Sequence, residues 1–274
     1  MPRIGFPCAA EGAQWGVFNV MKRLLVFLAA LVCGILSAAE SASPAPAKPV
    51  ILFVHGAWGG GWQFRKVAPL LESRGYTVYR PSLTGLGERA HLATPTVGLD
   101  THIEDIVNVI RFENLHDVIL VGHSYGGMVV TGVADRVPDR IKRVIYLDAM
   151  LPNDGDSIAT LRPTEAAAML AKAHDGFIPA WWVKPDKPFP HDVPQAARTI
   201  TDVLHLSHPP AAGIRWIYIL TVEPGKRASE DDFAWAAERA RQRGWPVLEM
   251  AADHNPEWFQ PAATAELLDR ACRM

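Results

Sequence analysis

A chain of 274 residues, 49% hydrophobic and 20% charged, has the balance of a folded globular protein and not that of a disordered or fibrous one. Its formal net charge is −2, with no block of Lys or Arg, which argues against a nucleic-acid surface. The length suits one large domain or two small ones.

In chain order, the first element stands outside the expected domain. Met21-Lys22-Arg23 precedes an apolar run over residues 24–36, and Ser37-Ala38-Ala39 follows. A basic start, a short apolar stretch and small residues at the cleavage positions make residues 21–39 a secretory signal peptide. The run falls short of the roughly 20 apolar residues that span a bilayer, so no stable membrane anchor is expected. Residues 1–20 read as an upstream start-site extension, and Val32 before Cys33 does not suit lipidation. The expected location is secreted or periplasmic, with cleavage near Ala39. Of the three cysteines only Cys272 then remains. The mature chain can form no internal disulfide, and Cys272 reads as a bystander. Residues 40–49, "ESASPAPAKP", read as a Pro-rich extended linker.

The domain is expected over residues 50–274. "PVILFVHG" is a continuous apolar run stopped by Gly, as suits a strand buried on both faces. "FRKVAPLLESRG" is amphipathic, "YTVYRPSL" is a short strand, and "THIEDIVNVIRFEN" repeats apolar residues at helical spacing. The strand "DVILVGH", a helix after Ser124 and the strand "RVIYLDAM" come next. The rhythm breaks over residues 151–213, where many Pro and the pair Trp181-Trp182 suggest an insertion of short helices and loops. "IRWIYILTV", "DDFAWAAERARQRG", "PVLEMAADH" and "PAATAELLDRAC" then resume the strand and helix alternation. Such alternation predicts an α/β fold, a mostly parallel, doubly wound sheet. No internal repeat is visible.

Gly122-His123-Ser124-Tyr125-Gly126 fits G-x-S-x-G. The pattern alone arises by chance in about one chain in ten of this length. Here it closes a strand and opens a helix, a sharp turn that presents the serine hydroxyl at the sheet's edge. A serine needs a base to take its proton. His254, after the final strand, is the candidate among the ten histidines, and His55 reads as a structural loop residue. A developing oxyanion needs two preorganised N–H donors. Tyr125, directly after the nucleophile, and Ala57, in the loop "HGAWGGGW", are the candidates. Gly59, Gly60 and Gly61 let that loop pass close to a ligand.

These segments resemble the α/β-hydrolase superfamily, and within it the group of plant methylesterases, (S)-hydroxynitrile lyases and bacterial pyrethroid-hydrolase-type carboxylesterases. The resemblance runs from residue 50 to the end and rests on "HGAWGGGW", "LTGLGERAHL", "GLDTHIEDIVNVI", "VGHSYGGMV", "VIYLDAMLP" and "DHNPEWFQP". It implies a Ser-Asp-His triad, no cofactor or metal, and a helical cap, which the 151–213 insertion would supply. Trp58, Trp181 and Trp182 would line or close the pocket. The family's usual acid position is altered: after "WIYILT" stands Val222-Glu223-Pro224, with Pro where the Asp would fall. Asp148, at the end of "YLDAMLP", is the preferred acid, and Glu223 the alternative. Asp253, beside the histidine, is a weak candidate.

The expected function is an exported serine carboxylesterase acting on small, fairly apolar esters, with a small-molecule ester and water as its partners. The alternatives are an amidase or carbamate hydrolase using the same triad, and a non-catalytic ligand-binding protein. A hydroxynitrile lyase fits poorly, because Gly56 and Asn255 stand where those relatives carry Thr and Lys. Nothing in the chain specifies an oligomeric state.

Overall fold

The structure, a computed structural model, describes Pro2 and residues 49–274. The segments expected to be a signal peptide and a linker before Pro49, together with Cys8 and Cys33, lie outside the described residues.

Six parallel strands form one sheet: β1 (Val50–Val54), β2 (Thr77–Tyr79), β3 (Val118–His123), β4 (Ile141–Leu147), β7 (Arg215–Val222) and β8 (Val247–Ala251). The spatial order is β2-β1-β3-β4-β7-β8. The chain leaves β1 toward one edge and then returns past it to build the other side. That reversal between β1 and β3 opens a crevice at the carboxyl ends of the strands, the place where such sheets bind ligands. Register aligns those ends: Val54 pairs with Gly122, His123 with Leu147 and Leu147 with Ile219.

The central strands β1 and β3 read as nearly unbroken apolar runs because both faces are covered. Leu52, Val54, Leu120 and Val144 face a core shared with helices Leu99–Phe112, Gly126–Arg136 and Ala234–Gln242. Ile51, Phe53, Ile119, Val121 and Ile145 face the opposite core, closed by Phe64, Leu71 and the C-terminal helix Pro261–Arg273. Each such side chain removed from water contributes roughly 1.5–3 kcal/mol before the cost of ordering the chain. The Arg143 guanidinium, buried under the sheet, donates to the Cys272 carbonyl and ties that last helix down. Burial pushes the Cys272 thiol up to about 12, so it stays protonated.

Two segments differ from the periodicity. The amphipathic stretch after β1 divides into a 3-10 turn, Gly61–Lys66, and a short helix, Ala68–Glu72. Pro69 in the first turn of that helix lacks the N–H that would have continued one ladder. β2 ends at Tyr79, two residues before Pro81. Residues 151–213 contain helices Ile158–Leu161, Pro163–Leu170 and Arg198–Thr201, and the antiparallel pair β5 (Phe177–Ile178) and β6 (Gln195–Ala196). Among the described residues no helix is long and apolar enough to cross a membrane.

Candidate active site

Ser124 lies between the last residue of β3 and the first turn of helix Gly126–Arg136, with φ at +53°. A side-chain-bearing residue in that region is strained by about 1–2 kcal/mol. The strain is held by three backbone bonds. The Ser124 carbonyl accepts from Gly127 N at 3.1 Å and Met150 N at 3.0 Å, and its N–H reaches the Leu147 carbonyl at 3.4 Å. The flanking glycines follow from crowding. A Cβ at Gly126 would sit 2.5 Å from the Val54 carbonyl oxygen, and one at Gly122 would sit 2.8 Å from that of Gly126. The G-x-S-x-G spacing thus records where backbone meets backbone.

Asp148 follows β4 directly and also has positive φ, +45°. Its N–H donates to the Ile219 carbonyl at 2.8 Å, which locks the residue against β7. The side chain is 1% exposed. Oδ1 accepts from Thr221 N at 3.1 Å, and Oδ2 lies 2.6 Å from His254 Nδ1. His254 Nε2 in turn lies 2.9 Å from Ser124 Oγ. A carboxylate can only accept, so Nδ1 carries the imidazole proton, leaving Nε2 free to accept from the serine hydroxyl. The His254 ring is held between Phe233, stacked nearly parallel at 4.9 Å, and His123, tilted at 4.9 Å.

Glu223 is brought to the rim, not to the imidazole. Its carboxylate pairs with Lys226 at 2.9 Å, and the side chain is 45% exposed. Asp253 accepts from Asn255 N, and it is Asp148 that holds the histidine's Nδ1.

A cavity of about 280 Å³ opens over Ser124. Ala57 and Tyr125 line it, and among the described residues neither amide has an acceptor. Tyr125 is fixed from behind: its O–H donates to His102 Nδ1 at 2.8 Å, while His102 Nε2–H donates to the Thr84 carbonyl at 2.9 Å. Burial lowers the His102 pKa, which keeps that ring neutral for both bonds. His55 is likewise a framework residue. Burial lowers it to about 4, and its Nε2 accepts from Leu83 N. A Cβ at Gly56 would lie 3.1 Å from Ser124 Cβ and from His123 Nδ1, a close contact that side-chain shifts of a few tenths of an ångström would have to relieve.

Trp58 lines the cavity, with its N–H on Gln195 Oε1 at 2.6 Å and its indole N–H on the Ile178 carbonyl at 3.1 Å. Trp181 and Trp182 correct the expectation. They do not line the cavity; they pack edge-on against the back of Trp58, with centroids 6.1 and 5.0 Å away, and are about half exposed. Trp58, held by Gln195 and the Ile178 carbonyl, takes the lining position, and the pair packs on its ring.

Sequence reading missed much of the lining. Met150, Ile158, Met169, Ile200 and Phe233 supply apolar walls, and Glu165, Asp231 and Asp232 make an acidic mouth with one cation, Arg162. Arg162 is committed to Glu165 at 2.6 Å. The one usable signal was the periodic "SIATLRPTEAAAML", whose inner face the cap turns toward the sheet. Among the described residues no three or more His, Cys, Asp or Glu side chains cluster as metal ligands.

A family model described as the alpha/beta hydrolase family matches residues 51–267. An esterase of Nocardioides sp., named for hydrolysing carbendazim, is 54% identical over 112 residues, covering 41% of this chain and 46% of that one. A pyrethroid hydrolase of Sphingobium wenxiniae is 37% identical over 108 residues, 38% of this chain and 37% of that one. Methylesterase 8 of Arabidopsis thaliana is 30% identical over 128 residues, 46% and 45% of the two chains. The chain thus spans less than half the length of each of these curated relatives. Among solved structures, an extracellular α/β-hydrolase from a Paenibacillus species superposes with a TM-score of 0.65 at 23% identity, covering 81% of this chain and 98% of that one. At that identity the likeness shows the fold.

Proposed function

The chain belongs to the α/β hydrolase family, and from that premise we propose that it is a serine carboxylesterase for small, largely apolar esters. The observation that carries the reading is the unbroken relay from Asp148 through His254 to Ser124, with links of 2.6 and 2.9 Å. In this reading Ser124 Oγ attacks the ester carbonyl carbon as its proton passes to His254 Nε2. Asp148 holds the imidazole and stabilises the imidazolium. The carbonyl oxygen becomes an anion facing the free N–H groups of Ala57 and Tyr125. The tetrahedral species collapses, the C–O bond to the alcohol breaks, and His254 returns its proton to the leaving oxygen. A water molecule then repeats the sequence on the acyl-enzyme, giving the acid and free Ser124.

The cavity's size and its Met, Ile, Phe and Trp walls support small apolar substrates. A second reading, carbamate or amide hydrolysis by the same relay, is favoured by the 54% identity to the Nocardioides esterase. A panel of aryl and alkyl esters, amides and carbendazim, run beside fluorophosphonate labelling, tests both. Ester turnover with label on Ser124 is expected. Labelling with amide or carbendazim turnover alone would replace the first reading by the second, and no labelling at all would leave a ligand-binding protein.

The proposal includes export, supported by the signal-peptide pattern from Met21. N-terminal sequencing of protein from the periplasm or medium is expected to start near Glu40. Recovery only in the cytoplasm with an intact Met1 or Met21 would overturn it.

A further inference from the structure

Two buried ionisable side chains adjoin the relay and take no part in it. His123, the residue before Ser124, is 1% exposed, and Glu257, three residues after His254, is 0% exposed. His123 Nε2 lies 2.7 Å from the His254 carbonyl oxygen. A carbonyl only accepts, so this nitrogen carries a proton. His123 thereby ties the end of β3 to the loop that carries the base, and its ring lies against the His254 ring. The other nitrogen, Nδ1, faces Glu257 Oε1 at 3.8 Å. Among the described residues neither Nδ1 nor either Glu257 oxygen has a hydrogen-bond partner.

Burial keeps both groups neutral. It lowers His123 to about 3, helped by the neighbouring His254 and His55, and raises Glu257 to about 8. Asp253 and Asp148 also oppose ionisation of Glu257. Lys187 and Asp192 are the other charged groups on its side, sharing with it the wall of a cleft of about 270 Å³. A carboxylic acid O–H therefore faces a bare imidazole nitrogen. Closing the gap by about 1 Å, within reach of the glutamate torsions, brings the pair to hydrogen-bond length.

We propose that Glu257 is a positioning residue for His254 that acts through the tautomer of His123. As the acid, Glu257 donates to Nδ1 and keeps the His123 proton on Nε2, where it holds the His254 carbonyl. As the carboxylate it can only accept, and the proton is drawn to Nδ1. Nε2 then meets the carbonyl oxygen lone pair to lone pair, and the base loop loses its tether. The proton balance is closed: one proton leaves Glu257 for solvent and one moves between the nitrogens of His123. Turnover falls as the pH passes about 8 and Glu257 loses its proton. The inference rests on His254 being the base of the proposed hydrolysis.

Two measurements on the full chain test it. The first is kcat/KM against pH, from 6 to 10, with Ser124→Ala subtracted as background. The wild type should lose about tenfold per pH unit above pH 8, as a single essential proton requires. Glu257→Gln, whose amide N–H donates to Nδ1 at every pH, should show no such limb. Glu257→Leu, with no donor, should lose tenfold or more in kcat at pH 7 with KM within twofold. The second is NMR of 15N-labelled histidine rings. The His123 proton should move from Nε2 to Nδ1 between pH 7 and 9 in the wild type and stay on Nε2 in Glu257→Gln. An alkaline limb unchanged in Glu257→Gln, or a wild-type His123 proton that stays on Nε2 through pH 9.5, overturns the proposal. If every ester is refused, the NMR decides alone: a tautomer change then supports the switch while the esterase reading falls.

Discussion

Asp148→Asn is a sharp test of the relay, because the structure dictates which way the new amide must turn. Asp148 is 1% exposed and has two partners on opposite oxygens. Thr221 N–H donates to Oδ1 at 3.1 Å, and His254 Nδ1–H to Oδ2 at 2.6 Å. An asparagine has one acceptor oxygen to offer where two are needed. If its NH2 faces Thr221, two buried donors collide, which costs on the order of 1–3 kcal/mol. Thr221 is locked in β7 and cannot turn away. The NH2 therefore faces His254, which must place its proton on Nε2 to accept it. That tautomer cannot take a proton from Ser124. The variant also loses the anion that stabilises the imidazolium. The expected fall in kcat is about 10⁴-fold, or roughly 5 kcal/mol of transition-state stabilisation. Initial rates on an aryl ester that the wild type cleaves would measure it, with circular dichroism confirming that the variant is folded. Glu223→Gln should change kcat less than threefold, since its exposed pair with Lys226 supplies only weak, screened electrostatics. A crippled Glu223→Gln beside an Asp148→Asn within tenfold of wild type would refute the reasoning.

Ser124→Ala should lower kcat by about a million-fold; purified variant keeping more than about 1% of wild-type turnover would remove Ser124 from the mechanism. Gly127→Ala should cost about 3 kcal/mol in urea unfolding, because the new Cβ would sit 2.0 Å from the Met150 carbonyl oxygen, backbone that cannot step aside; a loss under about 0.5 kcal/mol would contradict the close packing of the nucleophile turn on the loop after β4. Stability should peak near pH 6.5. Below it, His55 and His123, lowered from 6.5 to about 4 and about 3, bind protons in the unfolded chain only, so stability falls with acid. Above it, Glu257, raised from 4.5 to about 8, holds a proton that the unfolded chain has lost, so stability declines until about pH 8. Each proton is worth about 1.4 kcal/mol per pH unit. Urea midpoints at pH 5, 6.5 and 8 would show it, and a wild type still gaining stability between pH 6.5 and 8 would contradict the assignment for Glu257.

Much of this protein was legible in the chain. Continuous apolar strands between amphipathic helices specify a parallel sheet covered on both faces, because that pattern has few other ways to bury itself. Ser124 was visible because its strained turn demands glycines at fixed local spacing, and His254 because it follows the last strand. The acid was not settled by sequence. Asp148 and Glu223 both end strands, and only the register that pairs Leu147 with Ile219 brings Asp148 beneath the imidazole and leaves Glu223 on the rim with Lys226. The same holds for the cap, where Trp58 faces the cavity and Trp181 and Trp182 only buttress it. It holds too for His123 and Glu257, which look unremarkable in a list of residues and become a buried pair only where the end of β3 meets the turn after β8. Local turns and periodicities are properties of neighbours along the chain, so sequence carries them. The choice among like residues is made by contacts between segments a hundred residues apart, as with the 106 that separate Asp148 from His254, and those exist only once the sheet has formed.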